Sequence, residues 1–514
     1  MAAKTGKEEA AKLAASASAD PIESTRDFFL DDLPRTLFPL TTNRVLVENG
    51  ENEIKEHIAK CLDKKNEAFG FIPQQRVYAS KSGGYLRRTV KLDVVAEYFI
   101  YDLVWRNKGR FRKPHQSDKS HYGYRFESKV PITATSAYRG FKGAISEHSV
   151  AYSHSMGVDV ASYFNGLYHH DLVGWFAELG VDDKDYEAFG QFLREINSGR
   201  SLDCLPQGLY PTKMIGNDFL RYIDNHHAIE SDKLVRFMDD IHVFSNSENA
   251  IENDFQTIQQ LLGSKGLSVN PRKTTTNSAS STEMDKEIDA VKAALLERRR
   301  MMVTAGYDEH GNEIEHEITV KWPLSNEEIE YIDGLLASSE IEEEDAELIL
   351  TIMRQYAVRV ESRIPYMIER FPHLAKTLFS FCAHIKDYES LASAIMTRLQ
   401  GPRQVQEFQL FWFGATLDAY LMGTSKASTL ISLLLKHSSA TSISKARVLE
   451  IQDARFGLQE ARDTHLFSGT TDWLSWASAV GSIALKPASR NHKLTYFGKA
   501  SNMNHLIAEI VKKA

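Results

Sequence analysis

An α+β chain is what the sequence predicts, with a mixed α/β first half and an all-α second half. Three observations carry this. From about residue 25 to 276, short apolar runs alternate with helical stretches, as they do in a mixed α/β domain. Beyond about residue 327, apolar residues recur at helical spacing through Ala346–Val360, His373–Ile385, Tyr388–Leu399 and Phe408–Leu421. The 514 residues, 42% apolar and 25% charged, suffice for two or three domains with a sizeable core.

The elements follow in order. Residues 1–24, rich in Ala, Lys, Glu and Ser, lack the apolar run of a signal peptide and are expected to form a disordered or partly helical tail. Residues 25–280 form the mixed domain. Within it, Gly157 to Phe164 predicts a short strand ending in an acid, then a turn and a helix over Asn165–Leu179. Leu205 to Thr212 opens a helical stretch reaching Asp224. Val235 to Phe244 is apolar at both ends and acidic in the middle. That pattern predicts two strands joined by a tight turn, with Met238 and Asp239 near its apex. A Ser/Thr/Asn-rich stretch, Thr274–Thr282, closes the domain. Residues 281–326 are expected to link the halves through a charged helix (Glu283–Met302) and a small hairpin turning at Asp308–Glu313. Ser325 with Glu328 is a capping-box signal for the next helix. Residues 327–514 then form an α-helical array, with no fixed-period repeat visible.

Composition narrows the function. Cys61, Cys204 and Cys382 lie far apart without metal-ligand spacing, which argues against a disulfide scaffold or zinc module and for a reducing cytoplasm. No run of about 18 apolar residues marks a membrane span. The net charge of −8 conceals a basic stretch: Phe71–Val130 holds 13 Lys/Arg against 5 Asp/Glu. Aromatic residues such as Tyr85, Trp105 and Tyr122 are interleaved there, a mixture suited to a nucleic-acid backbone or a triphosphate. The alternative is a basic surface on a helical domain. Ten Asp/Glu between Glu327 and Glu347 supply the acidic counterweight.

The chemistry centres on Phe237-Met238-Asp239-Asp240. Two-metal phosphoryl transfer needs carboxylates from separated segments, holding two cations roughly 4 Å apart. Mg²⁺ takes hard oxygen ligands and keeps several waters, so two or three aspartates suffice. Asp239 and Asp240 supply one arm and Asp159 the other. An isolated aspartate pair is usually a solvated turn; its surroundings give this one weight.

Read in order, these segments resemble the palm of reverse transcriptases. Asp159 with Phe164 resembles the first metal-binding motif, and Leu205-Pro206-Gln207-Gly208 the motif beneath template and nucleotide. Phe237-Met238-Asp239-Asp240 resembles the YxDD box, and Gly266-Leu267 through Asn270 to Lys273-Thr274 the motif that follows it. Upstream, Lys81 to Leu92 resembles the fingers hairpin, whose basic residue grips the triphosphate. Alternation with Val90 and Leu92 favours Arg88 over Arg87 for that role. The resemblance covers about residues 70–276 and implies a fingers and palm domain over 25–280.

It also implies roles. Asp159 and Asp239 bridge Mg²⁺ (Mn²⁺ as a substitute), with Val160 alongside and Asp240 a looser ligand. Gln207 and Gly208 contact the incoming nucleotide. Arg88, Lys81 and Lys273 meet its phosphates, although Lys273 reads equally as a plain surface lysine. Phe164 resembles the aromatic gate that excludes a ribose 2′-OH by clash, which makes DNA the product; otherwise it packs beneath the palm. Two departures stand out: Phe237 replaces the usual tyrosine, and Tyr210-Pro211-Thr212-Lys213 is bulkier than usual after the Leu-Pro-Gln-Gly motif.

No RNase H or Cys/His endonuclease signature follows the palm. A palm joined to a long helical half resembles the bacterial abortive-infection and defence-associated reverse transcriptases. That resemblance implies antiphage defence in a bacterial cytoplasm, deoxynucleoside triphosphates as substrates and a DNA product. It also implies a noncoding RNA template or untemplated synthesis, and a homo-oligomer. Two other functions stay open: a mobile-element or domesticated enzyme copying a cellular RNA, and a non-catalytic RNA-binding scaffold.

Overall fold

The computed structural model describes residues 21–111, 118–127, 129–132, 134–203, 205–278, 290–303 and 323–514. The tail up to residue 20, Cys204 and the expected turn Asp308–Glu313 lie outside them. The chain divides into two compact units, one of residues 1–32, 60–74 and 95–287, the other of 33–59, 75–94 and 288–514. This differs from a single cut near residue 280, because two early segments pack with the C-terminal helices.

Nine strands occur among the described residues: β1 (Gln75–Ser80), β2 (Leu86–Lys91), β3 (Lys119–Tyr122), β4 (Phe126–Glu127), β5 (Val130–Pro131), β6 (His154–Asp159), β7 (Lys233–Phe237), β8 (Asp240–Ser245) and β9 (Thr275–Ser278). The first unit is built on a five-stranded sheet ordered β3-β7-β8-β6-β9. Only β3 and β7 run parallel; the remaining pairs are antiparallel. In an antiparallel ladder directly opposed residues share a face. Phe237, Asp240 and Asp159 therefore line one face, together with Val235, His242 and Gly157. The helix Ala134–Ala151 covers part of that face, its Phe141 packing with Val235 and Phe244. The opposite face carries Leu234, Ile241, Val243 and Val158, all buried, and among them the fully buried Arg236.

Among the described residues, the second unit is helical apart from the β1–β2 hairpin. A continuous apolar core runs from Leu295 to Leu458. Val77 and Ala79 on β1 are buried within this unit. The hairpin backbone is tied to the helix Glu407–Thr416: Tyr78 N–H donates to Glu407 Oε2 at 3.0 Å, and Ser80 Oγ bonds Gln406. Burial on β2 falls on Thr89 and Lys91, while Arg88 and Val90 are half-exposed. The apolar Val90 thus does not mark the packed face, since Thr89 is the residue paired with Val77. The segment 33–59 is anchored similarly. Phe38 packs edge-on against Phe408 and Phe411. The buried carboxylate of Glu450 accepts from the backbone N–H of Thr41 and Thr42 at 2.9 and 2.7 Å, capping the helix Thr41–Leu62. Ser325 and Glu328 form the expected capping box. No described helix is long and apolar enough to cross a membrane.

Candidate active site

The turn Met238-Asp239 joins β7 to β8, as the alternation of apolar and acidic residues predicted. Asp240 stands directly opposite Asp159 in the β6–β8 ladder. Val160 N–H donates to the Asp239 carbonyl at 3.2 Å, so the two arms meet at this end of the sheet. Burial pushes the Asp239 carboxyl up to about 6, its own backbone hydrogen bond pulls the other way, and repulsion from Asp159 and Asp240 adds to the rise. Lys273 offsets part of it. Carboxylates on both arms leave this end of the sheet with excess negative charge that a cation can offset.

Residues 267–270 run beside the first arm. Val269 bridges Val160, and Ala161 N–H donates to the Ser268 carbonyl at 2.8 Å. Asp159 is thereby held from both ends. Its carbonyl accepts from Asn270 N–H at 2.7 Å. Its carboxylate accepts from Asn270 Nδ2 at 3.1 Å and Lys273 Nζ at 3.0 Å. The structure thus places Lys273 on a site carboxylate. Asp240 is held differently: His242, two residues on and on the same face, lies with Nε2 3.1 Å from its Oδ1. Gly157 makes that possible, because a Cβ there would come within 2.7 Å of the His242 ring.

The turn itself is braced from beneath. Met238 has φ 56°, a left-handed conformation uncommon for a side chain of its size. Its N–H donates to Asn217 Oδ1 at 3.1 Å, and its carbonyl accepts from Arg236 Nη1 at 3.0 Å. Arg236 also donates to the Asn217 carbonyl at 2.8 Å and forks onto Asp224 at 2.7 and 2.6 Å. Asn217 fits only because Gly123 has no side chain; a Cβ there would lie 2.8 Å from Asn217 Oδ1. His121 borders the network, and burial with the Arg236 charge pushes its imidazole down to about 3, so it is neutral.

Phe164 is half-buried beside Tyr163, and its ring meets Gly216 on the helix Tyr210–Phe219. Tyr163 Oη donates to the Gly216 carbonyl at 2.6 Å. The two segments expected to flank a nucleotide are thus in contact. Gln207 is half-buried and Gly208 is buried at φ 112°, which suits glycine, in the loop entering that helix. Lys81 and Arg88 belong to the other unit, where Lys81 is exposed near the β1–β2 turn and Arg88 is half-exposed on β2.

Sequence reading missed Arg236, Asn217, Asn270 and His242. Asn270-Pro271 carried a turn signal. Arg236 in an apolar strand was anomalous enough to question, but nothing local named its partners. Among the described residues, no three or more His, Cys, Asp or Glu side chains gather as a metal-holding group. Asp159 and Asp239 form a two-carboxylate set, which is enough for a cation that keeps water and phosphate ligands.

The sheet, its acidic end and the helix behind it define a template-directed polymerase palm. Residues 116–292 match the family described as Reverse transcriptase (RNA-dependent DNA polymerase). The chain therefore carries a reverse transcriptase domain, an enzyme domain with RNA-directed DNA polymerase activity. Such domains generally use divalent metals such as Mg²⁺. The β1–β2 hairpin lies upstream of the matched segment. No curated protein matches the chain. Among solved structures, apo telomerase from Candida tropicalis aligns at 10% identity, over 71% of this chain and 69% of that one, with a TM-score of 0.33. Telomerase from the same organism with a TWJ fragment of telomeric RNA aligns at 10% identity, 72% and 64% coverage and a TM-score of 0.32. The corresponding Candida albicans complex gives 11%, 71%, 66% and 0.30. In these two complexes the match spans less than two thirds of the telomerase chain.

Proposed function

We propose that Asp159 and Asp239, with the Val160 carbonyl, hold the divalent metal of an RNA-directed DNA polymerase that extends a DNA strand from deoxynucleoside triphosphates. The observation carrying this is the β6–β8 register, which sets Asp240 directly opposite Asp159 beside the Met238-Asp239 turn. The primer 3′ oxygen attacks the α-phosphorus, the bond to the bridging oxygen breaks, and pyrophosphate leaves. Mg²⁺, or Mn²⁺ in its place, supplies the positive charge that favours the 3′ alkoxide and the leaving group. The chain's own residues position the reactants. Asn270 and Lys273 orient Asp159; His242 orients Asp240. Lys273, which holds Asp159 at 3.0 Å, would be free to meet phosphate if a cation were bound to that carboxylate. Gln207 and Gly208 border the nucleotide.

Primer extension on an RNA template with Mg²⁺ tests this. Incorporation is expected from the wild type and none from Asp159→Ala; no incorporation by the wild type on any template, copurified RNA included, overturns it. Phe164, packed against Gly216 beside Tyr163, is the residue we assign as an aromatic gate against C2′. Phe164→Ala is therefore expected to raise ribonucleotide use relative to deoxynucleotide use, on the order of tenfold or more. An unchanged ratio in competition assays assigns Phe164 to packing alone.

The setting we propose is bacterial antiphage defence, by an oligomeric cytoplasmic enzyme acting on an associated noncoding RNA or without a template. The support is the resemblance of a reverse transcriptase domain joined to a long helical unit. Expression in a bacterial host should lower phage plating efficiency, and Asp239→Asn should abolish the protection; equal plating with both proteins overturns the defence role.

A further inference from the structure

Residues 473–514 hold six Lys/Arg against one acid, Glu509, in a chain whose net charge is −8. Two large aromatic side chains are exposed here, Tyr496 at 53% within this stretch and Phe467 at 52% just before it, where Glu460, Asp463 and Asp472 also lie. Phe467 follows the helix Leu458–Leu466, and Tyr496 lies on the helix Pro487–Phe497. Their rings meet edge to face, with centroids 5.9 Å apart. Lys493 Nζ lies 5.5 Å from the Phe467 centroid, and Lys499 Nζ 5.5 Å from that of Tyr496. The exposed His492 ring is 5.3 Å from Tyr496. Several of these cations are ion-paired, Lys493 with Asp463 and Lys512 with Glu509 at 2.8 Å and Lys513 with Glu53, so Lys499 and Lys493 are the cations set against the rings.

Packing does not require these rings. The helix Pro487–Phe497 buries Arg490, Leu494 and Phe497, and Arg490 is spent inside, donating to the Lys512 carbonyl. Tyr496 and Phe467 instead present ring surface to solvent beside cations. Exposed rings interleaved with Lys suit unpaired bases on a phosphate backbone, since every base has a stackable face and every linkage a negative charge. A duplex hides its base faces and would gain only the phosphate contacts.

We propose that Phe467 and Tyr496, with Lys493, Lys499 and His492, form a site that holds single-stranded RNA, separate from the polymerase palm. RNA is chosen because an RNA-directed polymerase must hold its template unpaired before copying, while its DNA product leaves paired; to that extent the site rests on the RNA-directed reading. Binding involves no synthesis, so the two succeed or fail separately.

The test uses the full chain and a labelled 15-nucleotide oligouridine. Fluorescence anisotropy should show Phe467→Ala/Tyr496→Ala binding about 30-fold more weakly than wild type. Phe467→Trp/Tyr496→Trp should retain affinity, which separates stacking from a folding defect. Irradiating an oligomer carrying 5-iodouridine should crosslink it at Phe467 or Tyr496. Wild-type affinity in the alanine variant overturns the proposal, as do crosslinks confined to residues 116–292. Ring-dependent binding of oligothymidine but not oligouridine overturns the RNA assignment. Polyglutamate binding as tightly as oligouridine, and insensitive to the ring changes, marks the end as a surface for acidic protein and overturns it too.

Discussion

Asp239→Asn is expected to cut deoxynucleotide incorporation at least on the order of 10²–10³-fold while raising the thermal midpoint of the metal-free protein. The activity loss follows from removing an anionic ligand where positive charge must be held. The stability gain follows from the raised carboxyl. A group whose folded pKa is about 6, against an ordinary 3.8, binds more protons folded than unfolded between those values. Its penalty is complete above about pH 6 and is relieved as pH falls toward 3.8. Asparagine removes the penalty at neutral pH, worth about 1–3 kcal/mol. Thermal melts in chelator at pH 7.5 and pH 5 check the sign: the variant's advantage should be present at 7.5 and shrink at 5. Adding Mg²⁺ should stabilise the wild type more than the variant. Equal midpoints at both pH values would mean that the Asp239 carboxyl is not raised by its buried setting.

Arg236→Met should be among the most destabilising single changes in the first unit, by about 3–5 kcal/mol, because it leaves the Asp224 carboxylate buried without its partner. Arg236 is wholly buried and Asp224 1% exposed, so water cannot replace the lost bonds. The double variant Arg236→Met/Asp224→Leu should recover much of that stability, since no buried charge is then orphaned. It should not recover activity. The Met238 carbonyl would still lack its donor, leaving the Asn217 bond alone to hold the left-handed backbone that sets Asp239 in place. Urea unfolding with primer extension separates the two roles. A double variant with both stability and kcat restored would reduce Arg236 to a packing residue.

The sequence made the local parts of this protein legible. Apolar residues at both ends of Val235–Phe244, with carboxylates in its middle, predicted two strands and a tight turn near Met238 and Asp239, and that is how β7 and β8 are joined. Ser325 with Glu328 announced its helix start, and the helical spacing beyond 327 announced the all-α half. These signals are legible because each depends on neighbours within one or two turns of chain. The tertiary structure alone decided that Glu450 caps a helix 408 residues away at Thr42. It alone decided that the hairpin Gln75–Lys91 packs with the helix at Glu407, and that Asn217, Asp224 and Arg236 together support Met238. A buried polar atom must find a partner, but no periodicity says which distant residue will supply it. The aspartates were therefore visible from the start, whereas what holds them in place became visible only once the chain was folded.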